Sequence, residues 1–173
     1  MADSSISLSM VRVEEISKIY DLSVFDCDDA DLNEFLKLDS FKYKQQLIAK
    51  TFLVIYQEQV VAFFSVMNDS IKLKMNESEE TKHLKRLHEY PALKIGRLGV
   101  DRMFRRKGIG SIIIKFVIGL TRSINKFSAC RFLTVDSYPN AIGFYESHNF
   151  IRNMVYQKKK DFVSMRKDII DVI

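Results

Sequence analysis

Arg105-Arg106-Lys107-Gly108-Ile109-Gly110, directly ahead of a long apolar stripe, is the part of this 173-residue chain whose residue types and spacing serve chemistry most plainly. It reads as a strand end, a basic glycine loop and a helix start. A helix start presents backbone N–H groups with no partner inside the helix and carries a partial positive charge, which suits a pyrophosphate. Glycines at 108 and 110 let the backbone come close to a ligand where a Cβ would obstruct it. Arg105, Arg106 and Lys107 add charge for further phosphates. Two better-known phosphate loops are excluded. The Walker string Gly-x-x-x-x-Gly-Lys-Ser/Thr is absent, and Gly108-Ile109-Gly110 is followed by Ser111, Ile112 and Ile113, so the third glycine of a dinucleotide fingerprint is missing.

The loop needs a strand before it and a helix after it. Ile109, Ile112, Ile113, Phe116, Val117, Leu120 and Ile124 form one apolar stripe at helical period. The competing reading of loop and stripe is a buried helix after a basic turn, with no ligand. Upstream, Ala92 to Val100 reads as a strand, and Gly96 and Gly99 within it predict a bulge or a close backbone approach. Leu8 to Val13 reads as an edge strand, followed by a short helix from Glu14 to Tyr20. Asp31 and Glu34 have capping-box spacing at the start of a second helix, with the stripe Leu32, Phe35, Leu36, Tyr43 and Leu47. Thr51 to Tyr56 and Val60 to Val66 predict a hairpin. Asn68 to Tyr90 reads as a polar loop with a short helix over 78–88. Arg131 to Val135 reads as a buried strand, and Ser137 with Pro139 starts a helix running to Ser147. Phe150 to Tyr156 and Phe162 to Met165 form a closing strand pair.

Composition narrows the class. The length fits a single domain over residues 1–173, and 47% hydrophobic residues with 13 Phe supply its core. No secretory leader and no apolar run of roughly 18 residues is present, so a cytoplasmic protein is expected. Cys27 and Cys130 read as free thiols, Cys130 in the core. His83 and His88 are one residue too far apart to share a helix face, and no metal site is expected. The formal charge of +5 suits an anionic cofactor and an anionic macromolecule. Lys158-Lys159-Lys160 reads first as a solvated turn, with RNA contact as the minority reading.

Arg105-x-x-Gly108-x-Gly110, in this strand–loop–helix context, resembles the acyl-CoA loop of the GNAT superfamily of N-acetyltransferases. A second signature follows in Val135-Asp136, Asn140-Ala141, Phe144-Tyr145-Glu146 and Phe150. The family has glycine where Asn149 stands, and Asn also tolerates the left-handed helix end. The order of elements agrees over most of the chain. The resemblance implies an α/β fold, a mixed sheet of the GNAT acyl-CoA N-acyltransferase type with a central bulged strand. It implies acetyl-CoA as cofactor and a primary amine as acceptor.

By that resemblance, backbone groups near Leu98 and Val100 hold pantetheine and polarise the thioester carbonyl. The amides from Arg106 through Lys107, Gly108, Ile109 and Gly110 to Ser111 hold the pyrophosphate, with Arg105 at the head of the motif. Asn140 reaches the cofactor arm, and Tyr145 is the general acid that protonates the coenzyme thiolate. A phenol of pKa about 10 stays protonated at neutral pH and can donate to a thiolate of pKa about 8.5. Tyr145 also reads as a core residue beside Phe144, and Tyr138 is a weaker rival acid. No general base stands out: Lys94, Gly96 and Arg97 occupy the strand where some members carry a glutamate, Asp101 reads as a turn residue, and Glu146 should point away. That favours an α-amine acceptor, since an α-amino group of pKa about 7.7–8.0 is appreciably neutral at pH 7.

The N-terminal half, from Phe25 to Leu36 and on through Thr51 to Val54 and Val61 to Ser65, is similar to the GNAT subgroup that includes toxins of toxin–antitoxin pairs. So is Arg97-Leu98-Gly99-Val100-Asp101. That resemblance implies charged tRNA as acceptor and a small antitoxin as protein partner; a homodimer and a non-catalytic acyl-CoA-binding module stay open. The glycine usual near Asp28 or Asp29 in that subgroup is missing.

Overall fold

The computed structural model describes residues 5–74, 89–156 and 161–170. Seven strands form one mixed sheet in the order β1-β2-β3-β4-β5-β7-β6. They are β1 (Arg12–Glu15), β2 (Lys50–Tyr56), β3 (Gln59–Ile71), β4 (Tyr90–Val100), β5 (Phe132–Ser137), β6 (Ile151–Arg152) and β7 (Val163–Asp168). The α-helices are α1 (Ala30–Glu34), α2 (Ser40–Gln45), α3 (Ile109–Ile124) and α4 (Ile142–Ser147). β4 and β5 run parallel; β1–β2, β2–β3, β5–β7 and β6–β7 are antiparallel. Contacts divide the chain into two compact units, Met1–Met67 with Gly96–Phe116, and Asn68–Ile95 with Val117–Ile173.

In the first unit, the adjacent Phe63 and Phe64 go to opposite faces of β3, as a period of two requires. Phe63 meets Phe25 at 5.6 Å and Phe35 at 6.1 Å between ring centroids. Phe64 meets Phe52 at 5.3 Å and Phe116 of α3 at 5.7 Å. The helix expected over Glu14 to Tyr20 is absent. Glu14 and Glu15 instead pair with Leu53 and Phe52 of β2, and Ile16 N–H donates to the Thr51 carbonyl at 2.9 Å. An edge strand leaves acidic side chains in solvent, so this pairing overrides their helix propensity. The N-cap of α1 is Asp29, whose carboxylate accepts from Leu32 N–H at 3.0 Å, and Asp31 lies in the first turn. A π-turn over Phe35–Asp39 joins α1 to α2. It adds a residue to the turn, yet Tyr43 beyond it still meets Phe35 at 5.3 Å, and the predicted stripe fails only at Leu47, past the end of α2 at φ 56°. Leu32, Phe35 and Leu36 stay in the core while Leu47 is 89% exposed. The β2–β3 turn is built from Gln57 and Glu58 at φ 49° and 62°, the two-residue hairpin geometry.

In the second unit, Ile71, Tyr90, Ala92 and Phe132 form a core cluster. β3 outruns its predicted end because Asp69 finds a partner: its carboxylate accepts from the buried Thr134 hydroxyl at 2.6 Å. Ser137 closes β5 rather than capping a helix, and the next helix splits into a 3-10 turn, Pro139–Ala141, and α4. Asn149 ends α4 at φ 62°. Of the predicted Phe150–Tyr156 strand, β6 keeps Ile151–Arg152, and Met154–Tyr156 is a 3-10 turn. The helix predicted over 78–88 and the lysines at 158–160 lie outside the described residues.

Candidate active site

A first group of candidate residues lies in the first unit, at the end of β4. A Cβ on Gly96 would lie 3.2 Å from Met67 Cε and Ser65 Oγ; one on Gly99 would lie 2.7 Å from Phe63 Cε1. Residues 63, 65 and 67 share one face of β3. Two positions three apart on β4 therefore point to the same side, which a regular strand forbids and a bulge produces. Leu98 and Val100 are half-buried on this bulged stretch. The ladder between β4 and β5 ends at Ile95↔Val135, whereas β4 continues to Val100.

Asp101 turns the chain out of the strand. Its N–H donates to the Val61 carbonyl at 2.9 Å, and its buried carboxylate accepts from Met103 N–H at 2.9 Å and Asp26 N–H at 3.2 Å. This is the turn role expected of it. A 3-10 turn, Arg102–Phe104, follows. Arg106 and Gly108 then take φ 61° and 85°, and α3 starts at Ile109. The left-handed region is nearly free for glycine and costs an arginine roughly 1–2 kcal/mol. The first helical bond is Ile112 N–H to the Gly108 carbonyl at 3.1 Å, so the Ile109 and Gly110 amides precede the hydrogen-bonded ladder of α3.

The charged side chains are used differently from their backbone. Arg105 donates to the Cys27 carbonyl and pairs with Asp28 at 3.2 Å. Arg102 pairs with Asp26 at 3.3 Å. Lys107 Nζ sits 5.2 Å from the Phe104 ring centroid. Arg106 is exposed, Ile109 is buried, and Gly110 and Ser111 are half-buried. A Cβ on Gly108 would meet the chain itself, Ser5 Oγ at 3.3 Å and the Ile6 carbonyl oxygen at 3.4 Å. Glycine is thus favoured here by φ and by a neighbouring segment, apart from any ligand.

A second group of candidate residues lies on β5 and α4, in the second unit. Asn140 is exposed in the 3-10 turn before α4. Tyr145 is the buried residue of α4, 5% exposed, its ring 5.0 Å from Phe144 and 5.4 Å from Phe150. Burial pushes its phenol well above the ordinary value, because the charged form loses its water. The ring is packed, and the hydroxyl has no hydrogen-bond partner among the described residues. Tyr138 instead meets Phe162 at 4.9 Å between ring centroids, the rings tilted by 43°. Glu146 is turned to Arg152 at 3.2 Å. Lys94 on β4 holds Asp136 on β5 at 2.8 Å, a pair that neither motif announces and that only the parallel pairing of the two strands brings together. No cluster of three potential metal ligands exists among the described residues.

Comparison with known proteins gives this geometry a setting. Residues 16–150 match the model of the acetyltransferase (GNAT) family. A tyrosine-to-phenylalanine variant of KacT matches with a TM-score of 0.83 at 18% identity, over 95% of this chain and 99% of that one. AtaT complexed with acetyl-methionyl-tRNAfMet matches with a TM-score of 0.83 at 18% identity, over 94% of this chain and 96% of that one. AtaTR bound with AcCoA matches at a TM-score of 0.78 and 19% identity, over 95% and 96%. At such identities the likeness concerns the fold.

Proposed function

This chain belongs to the acetyltransferase (GNAT) family, and we propose that it moves the acetyl group of acetyl-CoA to the α-amine of an aminoacyl-tRNA. The residues present fit the coenzyme. Amides ahead of the first α3 bond, beside Arg106 and Gly108 in the left-handed region, make an anion cradle at the start of a 16-residue helix. In this reading the amides from Arg106 to Ser111 hold the pyrophosphate, and backbone groups at Leu98 and Val100, past the last β5 rung, hold pantetheine. Asn140 reaches the same arm. Arg105 serves the loop by fixing Cys27 and Asp28 to it. When bound, the coenzyme supplies a thioester carbonyl open to attack by an amine.

Tyr145 supplies the proton that the departing thiolate takes. Burial keeps the phenol protonated throughout the neutral range, and a hydroxyl with no hydrogen-bond partner among the described residues is free to donate. The amine must arrive neutral. Asp101 accepts two backbone N–H groups, Asp136 is held by Lys94 and Glu146 by Arg152. With those carboxylates engaged, an acceptor that loses its own proton near neutrality is favoured, and an aminoacyl α-amine does so more readily than a lysine.

The observation that carries the choice of acceptor is the likeness, over 94% of this chain, to AtaT in complex with acetyl-methionyl-tRNAfMet. AtaT has also been solved as a toxin with the C-terminus of its antitoxin AtaR. A small antitoxin is accordingly the protein partner of this reading, and the cytoplasm, where charged tRNA is found, its compartment. Among the described residues no helix is long and apolar enough to cross a membrane. Transfer of labelled acetyl from acetyl-CoA to bulk charged tRNA, with uncharged tRNA as control, tests it. Label on the aminoacyl group supports the reading. Label on small amines or proteins, and none on charged tRNA, overturns it.

A further inference from the structure

Neither sequence motif accounts for Ser5–Ile6, the segment ahead of β1. Ile6 is 5% exposed, and its N–H donates to the Lys107 carbonyl at 2.9 Å. Ser5 Oγ and the Ile6 carbonyl oxygen lie 3.3 and 3.4 Å from where a Gly108 Cβ would be. Beyond Ile6 the chain makes a 3-10 turn, Leu8–Met10, and enters β1, which is fixed to β2 from Arg12↔Ile55 to Glu15↔Phe52. The segment is therefore anchored at both ends, by the sheet and by the loop.

The Lys107 carbonyl belongs to the same peptide unit as the Gly108 N–H. That unit is planar and trans, so the two groups point in opposite directions. It lies between Arg106 at φ 61° and Gly108 at φ 85°, both in the left-handed region. Holding the carbonyl toward Ile6 aims the Gly108 amide away from Ile6, to the open side of the loop. We propose that Ser5–Ile6 is a strap that sets the coenzyme loop, with Ile6 as a positioning residue that orients the Gly108 amide for the pyrophosphate. The inference rests on the reading that this loop holds the coenzyme.

The test is calorimetric titration of coenzyme A into the unaltered protein and into Ile6→Pro, which lacks the donor N–H. The variant should bind roughly five- to tenfold more weakly, the loss of one net hydrogen bond. Leu8→Ala, at an exposed position of the same segment, should bind as the unaltered protein does. Amide exchange on the unaltered protein supplies a readout that does not depend on any variant folding. Coenzyme A should slow exchange at Ile6 together with Gly108, Ile109 and Gly110. Equal affinity of a folded Ile6→Pro, or loop protection that leaves Ile6 unchanged, overturns the strap alone. Failure of the unaltered protein to bind coenzyme A overturns the reading of the loop, and the strap with it.

Discussion

Under the proposed function, the Arg106–Ser111 loop and the α4 turn contribute to the chemistry in contrasting ways. In the loop the proposed working groups are backbone amides, and the side chains around them act as struts: Arg105 to Cys27 and Asp28, Arg102 to Asp26. On α4 the proposed working group is one side chain, Tyr145, and its surroundings are aromatic packing from Phe144 and Phe150. Substitutions should therefore act oppositely in the two regions. In the loop, what matters is which backbone conformation a residue allows. On α4, what matters is one oxygen atom.

The largest expected effect is at Tyr145. Tyr145→Phe keeps the ring and its packing, and should lower the single-turnover transfer rate by about 10²–10⁴, the usual contribution of a positioned acid. An unchanged rate would leave Tyr145 as packing. Next is Gly108→Val, which forces a β-branched residue into φ 85°. At about 1–2 kcal/mol for the left-handed region, coenzyme affinity should fall about tenfold, read by calorimetry. A smaller effect is expected for Arg105→Gln, whose ion pair with Asp28 is half-exposed. It should cost about 0.5–1 kcal/mol in urea unfolding and shift coenzyme affinity less than Gly108→Val does. Smallest is an alkaline difference. The folded protein holds the Tyr145 proton more tightly than the unfolded chain does, so this residue's contribution is full below the ordinary phenol value of about 10 and fades as pH rises above it. Tyr145→Phe should lose less stability than the unaltered protein in that range, by melting at matched pH.

The two regions also differ in how far they could be read from the sequence. Gly96 and Gly99 announced the β4 bulge, and the apolar stripe announced α3, because both signals are local. Asn149 announced the left-handed end of α4 for the same reason. What escaped depends on partners distant in sequence. β1 absorbed Glu14 and Glu15 through pairing with β2. Asp69 lengthened β3 through Thr134, 65 residues on. Arg105, read as a phosphate ligand from its place in the motif, turns its guanidinium to Cys27, 78 residues back. The π-turn at Phe35–Asp39 has no compositional mark, and Asp29 and Asp31 are equally good caps until the chain chooses its first turn. Tyr145 and its core packing beside Phe144 were legible, but a hydroxyl with no hydrogen-bond partner among the described residues was not.

The most direct test of the division between the two regions is calorimetric titration of acetyl-CoA into Tyr145→Phe. If the loop binds and Tyr145 only supplies a proton, the variant binds acetyl-CoA with the affinity of the unaltered protein. An affinity that falls in step with the transfer rate would contradict this, and would make Tyr145 part of the binding surface.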